Sequence, residues 1–75
     1  MNNEGVLTNR LAVLRAEKGY SQKEVAERIG VSRQTIVSIE KNRYNPSLKL
    51  AFELALLFDV DIHDVFTYEK RKESK

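Results

Sequence analysis

Residues 21–42 read SQKEVAERIGVSRQTIVSIEKN, two helical phrases separated by Gly30 and Val31. Ser21 stands three residues before Glu24, the spacing of a capping box, so a helix begins there. Val25 and Ile29 give that helix its inner face, and Gly30 ends it, because glycine takes up positive φ without steric cost. Ser32 then caps a second helix whose buried side is Ile36 and Ile39. Ala26 is small enough to let the two helices approach closely at a steep crossing angle. With the aliphatics turned inward, Arg33, Gln34, Val37, Ser38 and Lys41 face out. A lone glycine between helices would carry little information. The whole spaced set specifies a helix-turn-helix over residues 21–42.

Outward from this pair, apolar residues recur at helical spacing almost throughout. Leu7, Leu11 and Leu14 form a stripe for an earlier helix, closed by Lys18 and Gly19. Asn42 to Pro46 is a connecting loop, since asparagine and proline disfavour helix continuation. Ser47 caps a fourth helix with Leu50, Leu54 and Leu57 on one stripe and Ala51, Ala55 and Phe58 beside it. A helix apolar over most of its circumference is either central or buries a second face against another molecule. Asp61 to Asp64 open a short fifth helix with Ile62, Val65 and Phe66 inward, and the charged stretch 69–75 (EKRKESK) is expected to fray. The fold class expected is all-α, a single five-helix domain over residues 1–75 without internal repeat or linker.

Composition narrows the function classes. A chain of 75 residues makes one modest core, and the net charge of +2 with pI near 9.0 is only mildly basic. Its distribution is more informative: Lys23, Arg28, Arg33, Lys41 and Arg43 outnumber the acids between residues 21 and 45, whereas Glu53, Asp59, Asp61 and Asp64 face Lys49 alone between 46 and 68. One end is basic and the other acidic. Cysteine is absent, which excludes disulfides and thiolate metal sites and fits a reducing compartment. No apolar run approaches bilayer length, and MNNEGVLTNR lacks the plan of a signal peptide, so a cytoplasmic protein without membrane contact is expected. The lone His63 has no second histidine or cysteine at ligand spacing and reads as a solvent-exposed helix residue. Neither a nucleophile with its base nor a glycine-rich phosphate cradle is present; no enzyme, cofactor, metal or small-molecule site is expected.

Two charges sit on apolar stripes. Arg15 follows Leu11 by four residues and Glu40 follows Ile36 by four. An unpaired buried charge is costly, so either the two meet or each snorkels to water from the edge of its stripe.

The segment SQKEVAERIGVSRQTIVSIEKNRYNPSLKLAFELALLFDVDIHDVF, preceded by NRLAVLRAEKG, resembles the Cro and lambda-repressor type of helix-turn-helix proteins, the Xre family. It is most similar to short single-domain members in which IxxIEKNxYxPSL is followed directly by two more helices. The resemblance implies a five-helix lambda-repressor-like fold, a homodimer on a symmetric double-stranded DNA operator, and control of transcription, with repression as the expected sense. It also implies that Arg15 binds Glu40, holding the third helix at its angle. In the short relatives the tail pairs with the amino terminus, and Val65 to Tyr68 have strand propensity, so a small sheet with Gly5, Val6 and Leu7 is expected.

A major groove admits one helix and offers each base pair's own pattern of donors and acceptors. Gln34 can bond adenine bidentately, Arg33 guanine or a phosphate, and Val37 can pack on thymine methyls; Thr35 offers a hydroxyl and a methyl, or serves the cap instead. Ser38 lies one turn beyond Gln34, and the resemblance assigns base reading first to this pair. Phosphates are expected at Gln22 and Ser32, where helix starts favour anions, and at Lys41, Asn42, Arg43, Tyr44 and Asn45, whose placement resembles the family's second clamp. The dimer surface is expected at Phe52 and Leu56 of the fourth helix with Ile62, Phe66 and Tyr68 nearby. The competing class is an antitoxin-like module whose fourth helix and tail cover another protein. Such a module has no need of Arg33, Gln34 and Ser38 facing outward.

Overall fold

The helical phrases become five helices, α1 (Leu11–Lys18), α2 (Gln22–Ile29), α3 (Arg33–Glu40), α4 (Leu48–Leu57) and α5 (Ile62–Val65), bracketed by strands β1 (Gly5–Asn9) and β2 (Phe66–Lys70). This computed structural model describes residues 5–70. Three of the helices start on serine. The hydroxyls of Ser21, Ser32 and Ser47 accept from the backbone N–H groups of Glu24, Thr35 and Leu50 at 3.0, 3.1 and 3.1 Å. Each such cap stabilises its helix by about 1 kcal/mol. Gly30, at φ 90°, turns the chain out of α2, and both its own N–H and that of Val31 close on the Ala26 carbonyl, at 2.8 and 3.0 Å.

One core joins all five helices. Leu11 and Leu14 of α1, Val25 and Ala26 of α2, Ile36 and Ile39 of α3, Leu50, Leu54 and Ala55 of α4, Phe58 and Val65 form a single buried cluster. Truncating a fully buried member such as Leu54 to alanine costs about 2–5 kcal/mol. Ala26 is buried in the same cluster, where added methylenes force strain of roughly 1–3 kcal/mol.

The N-terminal stripe needs one correction. Helical spacing groups Leu7 with Leu11 and Leu14, but Leu7 belongs to β1, opposite Tyr68 of β2 in an antiparallel ribbon. The helix cannot begin earlier because the Asn9 side-chain oxygen accepts from the Leu11 N–H at 3.0 Å, while the Arg10 N–H is spent on the Val65 carbonyl at 2.9 Å. The expected small sheet is therefore present, with Gly5 opposite Lys70 and Asn9 opposite Phe66. Glu69 and Lys70, grouped with the charged tail in the sequence, extend β2; the rest of that tail, 71–75, lies outside the described residues. Strand alternation puts Leu7, Phe66 and Tyr68 on one ribbon face, and Val6, Thr8, Thr67 and Glu69 on the other. No helix of the described residues is long and apolar enough to cross a membrane.

Candidate nucleic-acid interface

Helix α3 is fastened at both ends and along its inner side. At the start, the Ser32 hydroxyl accepts from the Thr35 N–H and lies 2.9 Å from the Thr35 hydroxyl, so both side chains serve the cap. Ile36 and Ile39 are fully buried beneath it. At the end, Arg15 Nε and Nη2 donate to the two oxygens of Glu40 at 2.8 and 3.2 Å, and Nη1 donates to the Tyr20 carbonyl at 3.1 Å. The side chains are 21% and 9% exposed, so neither snorkels; this is an internal, bidentate pair. The hydrogen bonds that Arg15 donates to Glu40 raise the pKa of Arg15 against the opposing effect of burial, with charge attraction adding to the rise.

Gln22 takes part in the same network. Its Nε2 donates to Glu40 Oε1 at 3.0 Å while its Oε1 accepts from Arg33 Nη2 at 3.2 Å. The carboxamide thus points into the protein and ties Arg33, at the start of α3, to Glu40 at its end.

The opposite side of α3 is open. Gln34 is exposed, and its Nε2 lies 3.4 Å from Ser38 Oγ, one turn along. These two line a shallow groove of about 270 Å³ with Thr35, Arg43 and Tyr44. The loop reaches this position because Asn42 adopts φ 59°, which asparagine tolerates better than most residues. Its N–H then returns to the Ile39 carbonyl and that of Arg43 to the Ser38 carbonyl, both at 2.9 Å. Lys41, Asn42, Arg43, Tyr44 and Asn45 are all exposed, and Val37 is half-buried at the edge of the same face. Among the described residues Arg33, Lys41 and Arg43 form no ion pair, so their charge is available to an outside anion.

The residues expected at the dimer surface fall into two places. Ile62, Phe66 and Tyr68 line a groove of about 360 Å³ with Leu7, His63 and Thr67. Phe52 and Leu56 line no part of it; with Leu48 they form an exposed stripe along α4, and Leu56 borders a separate groove with Arg28, Ile29, Glu53 and Leu57. Asn9 went unnoticed in the sequence. Its Nδ2 donates to the Ile39 carbonyl at 2.8 Å and to Asn42 Oδ1 at 3.0 Å. Nothing in its local pattern signals a bond to a residue thirty positions away.

A family model described as Helix-turn-helix matches residues 11–65, from the first residue of α1 to the last of α5. An uncharacterized HTH-type transcriptional regulator from Methanocaldococcus jannaschii is 51% identical over 63 residues, 84% of this chain and 96% of that protein. Among solved structures, a candidate DNA-binding protein from Bacteroides fragilis superimposes with a TM-score of 0.75 at 32% identity, covering 83% of this chain and 100% of that one. The SOS-response transcriptional repressor LexA from Eubacterium rectale gives a TM-score of 0.68 at 31% identity over 72% of this chain and 57% of its own. Together with the capped α2 and α3, the turn at Gly30 and the buried isoleucines, these likenesses establish that the chain belongs to the Xre, or Cro and lambda-repressor type, family of helix-turn-helix transcriptional regulators.

Proposed function

We propose that the protein reads double-stranded DNA by laying α3 in the major groove, and that it acts as a homodimer on a symmetric operator to repress transcription. The observation that carries the reading is the concave strip where Gln34, Thr35 and Ser38 meet Arg43 and Tyr44. Gln34 and Ser38 supply the donors and acceptors for base edges, with Arg33 and Val37 beside them. Lys41, Asn42, Arg43, Tyr44 and Asn45 hold the phosphates of one strand, fixing register without reading sequence. On the other flank Gln22 and Ser32 serve chiefly through the helix starts they occupy, where backbone N–H groups favour an anion. Thr35 acts through the Ser32 cap more than through a base.

A single domain offers a small contact, and two copies spaced one helical turn apart on DNA supply affinity and operator symmetry together. Ile62, Phe66 and Tyr68 are the proposed centre of the contact between copies, with Phe52 and Leu56 at its margin. Repression is the sense supported by the likeness to LexA, and it needs only occupancy of the operator.

The test is selection of sites from a randomised duplex library, followed by titration of the enriched duplex and a random one over a range of salt. Binding to both weakens steeply with salt, as counterion release requires. Gln34→Ala loses about 1–3 kcal/mol of discrimination at one base pair, whereas Arg43→Ala weakens every duplex alike and lowers the salt slope by about 1. Uniform loss in both variants refutes the division of labour. An absence of binding to any duplex at low salt refutes the function.

A further inference from the structure

We propose that Asn9 is a positioning residue for DNA reading: its carboxamide locks the C-terminal end of α3 to the terminal ribbon, and so sets the angle at which Gln34 and Ser38 are presented. The proposal rests on the reading of α3 as the groove helix.

Asn9 is the last residue of β1 and pairs with Phe66. Its Oδ1 accepts from the Leu11 N–H at 3.0 Å, starting α1. Its Nδ2 spends both protons on the far side, on the Ile39 carbonyl at 2.8 Å and on Asn42 Oδ1 at 3.0 Å. One half-buried side chain thereby joins the ribbon, α1, the last turn of α3 and the left-handed residue that leads into the Arg43–Tyr44 loop.

The Ile39 carbonyl, in the last turn of α3, already accepts from the Asn42 N–H at 2.9 Å, and the Asn9 amide adds a second donor from another element, which fixes the helix end against the ribbon. The Arg15–Glu40 pair cannot replace it, because that pair holds a side chain whereas Asn9 holds the backbone itself. An eight-residue helix is about 12 Å long. Swinging it by about 10° about its C-terminal end moves its first residues by about 2 Å, beyond the tolerance of a hydrogen bond to a base. Phosphate contacts from flexible side chains absorb such a shift; bidentate base contacts do not.

Asn9→Asp isolates this role. The carboxylate keeps an acceptor for Leu11 N–H but loses both donors and turns an acceptor toward the Ile39 carbonyl. The control is Val65→Ala, a truncation of a buried core residue that belongs to α5 and makes no side-chain hydrogen bond to α3 or its loop. Both variants and the parent are titrated with the duplex the parent enriches from a randomised library and with a random duplex, and amide exchange is followed in the free proteins. Expected for Asn9→Asp is a loss of about tenfold in the ratio of the two affinities, the cost of one poorly read base pair, over and above the fall that the added negative charge beside the Arg43 loop imposes on both duplexes alike. Exchange at the Asn42 and Arg43 amides quickens, and Val65→Ala leaves the ratio as it was. An unchanged ratio in Asn9→Asp, or an equal fall in Val65→Ala, overturns the proposal. A parent protein without any duplex preference instead sinks the DNA reading itself, and the amide exchange then judges the Asn9 tie alone: unaltered protection at Asn42 and Arg43 overturns it.

Discussion

Replacing Arg15 by methionine leaves Glu40 as a carboxylate whose side chain is only 9% exposed, with the Gln22 carboxamide its one remaining donor among the described residues. Removing one partner from a buried pair costs about 3–5 kcal/mol because the other charge is stranded. Arg15 is one-fifth exposed, so water partly reaches the site, and about 2–4 kcal/mol is the better figure for Arg15→Met. Glu40→Leu costs less, about 1–2 kcal/mol, since the guanidinium keeps the Tyr20 carbonyl and can lean toward water. The double variant Arg15→Met/Glu40→Leu strands no charge, and the Gln22 amide and Tyr20 carbonyl it leaves are only half-buried, so it falls within about 1 kcal/mol of the parent. A domain of 75 residues has roughly 4–11 kcal/mol of stability in all, so the first variant alone is severe. At about 4–8 °C per kcal/mol it lowers Tm by about 8–32 °C.

The assay is urea and thermal unfolding of the four proteins, read as a double-mutant cycle with a coupling of about 2 kcal/mol or more. Because Glu40 raises the pKa of Arg15, the contribution of the pair through Arg15 is complete below the guanidinium's unfolded value and is lost only as pH rises through the folded one. Through Arg15 the coupling is therefore unchanged from neutral to mildly alkaline pH, well below the guanidinium's range. Additive single variants, or a coupling that fades across that window, would refute the internal ion pair as the anchor of α3.

Gly30→Ala meets no neighbour within 4 Å, so its cost is backbone strain alone at φ 90°, about 1–2 kcal/mol, seen as a lower urea midpoint at unchanged m-value. Steric relief by a second mutation would not restore it. Gly5 is the opposite case: a Cβ there runs into the Tyr68 ring. Gly5→Ala displaces that ring and speeds amide exchange in β1 and β2 while the core helices keep their protection; even protection throughout contradicts the packing. Tyr68→Ser weakens the association between copies by about thirtyfold or more in sedimentation equilibrium, and Leu56→Ser by much less. The reverse order moves the dimer contact to α4.

The helix-turn-helix was legible because every rule that builds it is local. A cap acts over three residues, a helical stripe repeats every three to four, and a left-handed turn needs its glycine in place. Those rules identify Ser21, Ser32, Ser47, Gly30 and the inward isoleucines without knowledge of anything distant. The meeting of Arg15 with Glu40 was also within reach, since two charges on apolar stripes have few other ways to avoid stranding.

What the chain order could not settle is wherever a side chain chooses between partners far apart in sequence. Leu7 fits a helical stripe as well as a strand, and only its pairing with Tyr68, from the other end of the chain, decides between them. Gln22 reads in the sequence as a phosphate contact at a helix start, and only the fold brings its carboxamide to Glu40 and Arg33, at 3.0 and 3.2 Å. The apolar residues of α4 and of the ribbon read as one surface, yet packing separates them into a stripe and a groove. The bond that Asn9 accepts from the Leu11 N–H is local, but its bond to the Ile39 carbonyl exists only because folding carries the end of α3 to the end of β1. Periodicity and capping are properties of neighbours along the chain, whereas pairing, groove and clasp are properties of neighbours in space.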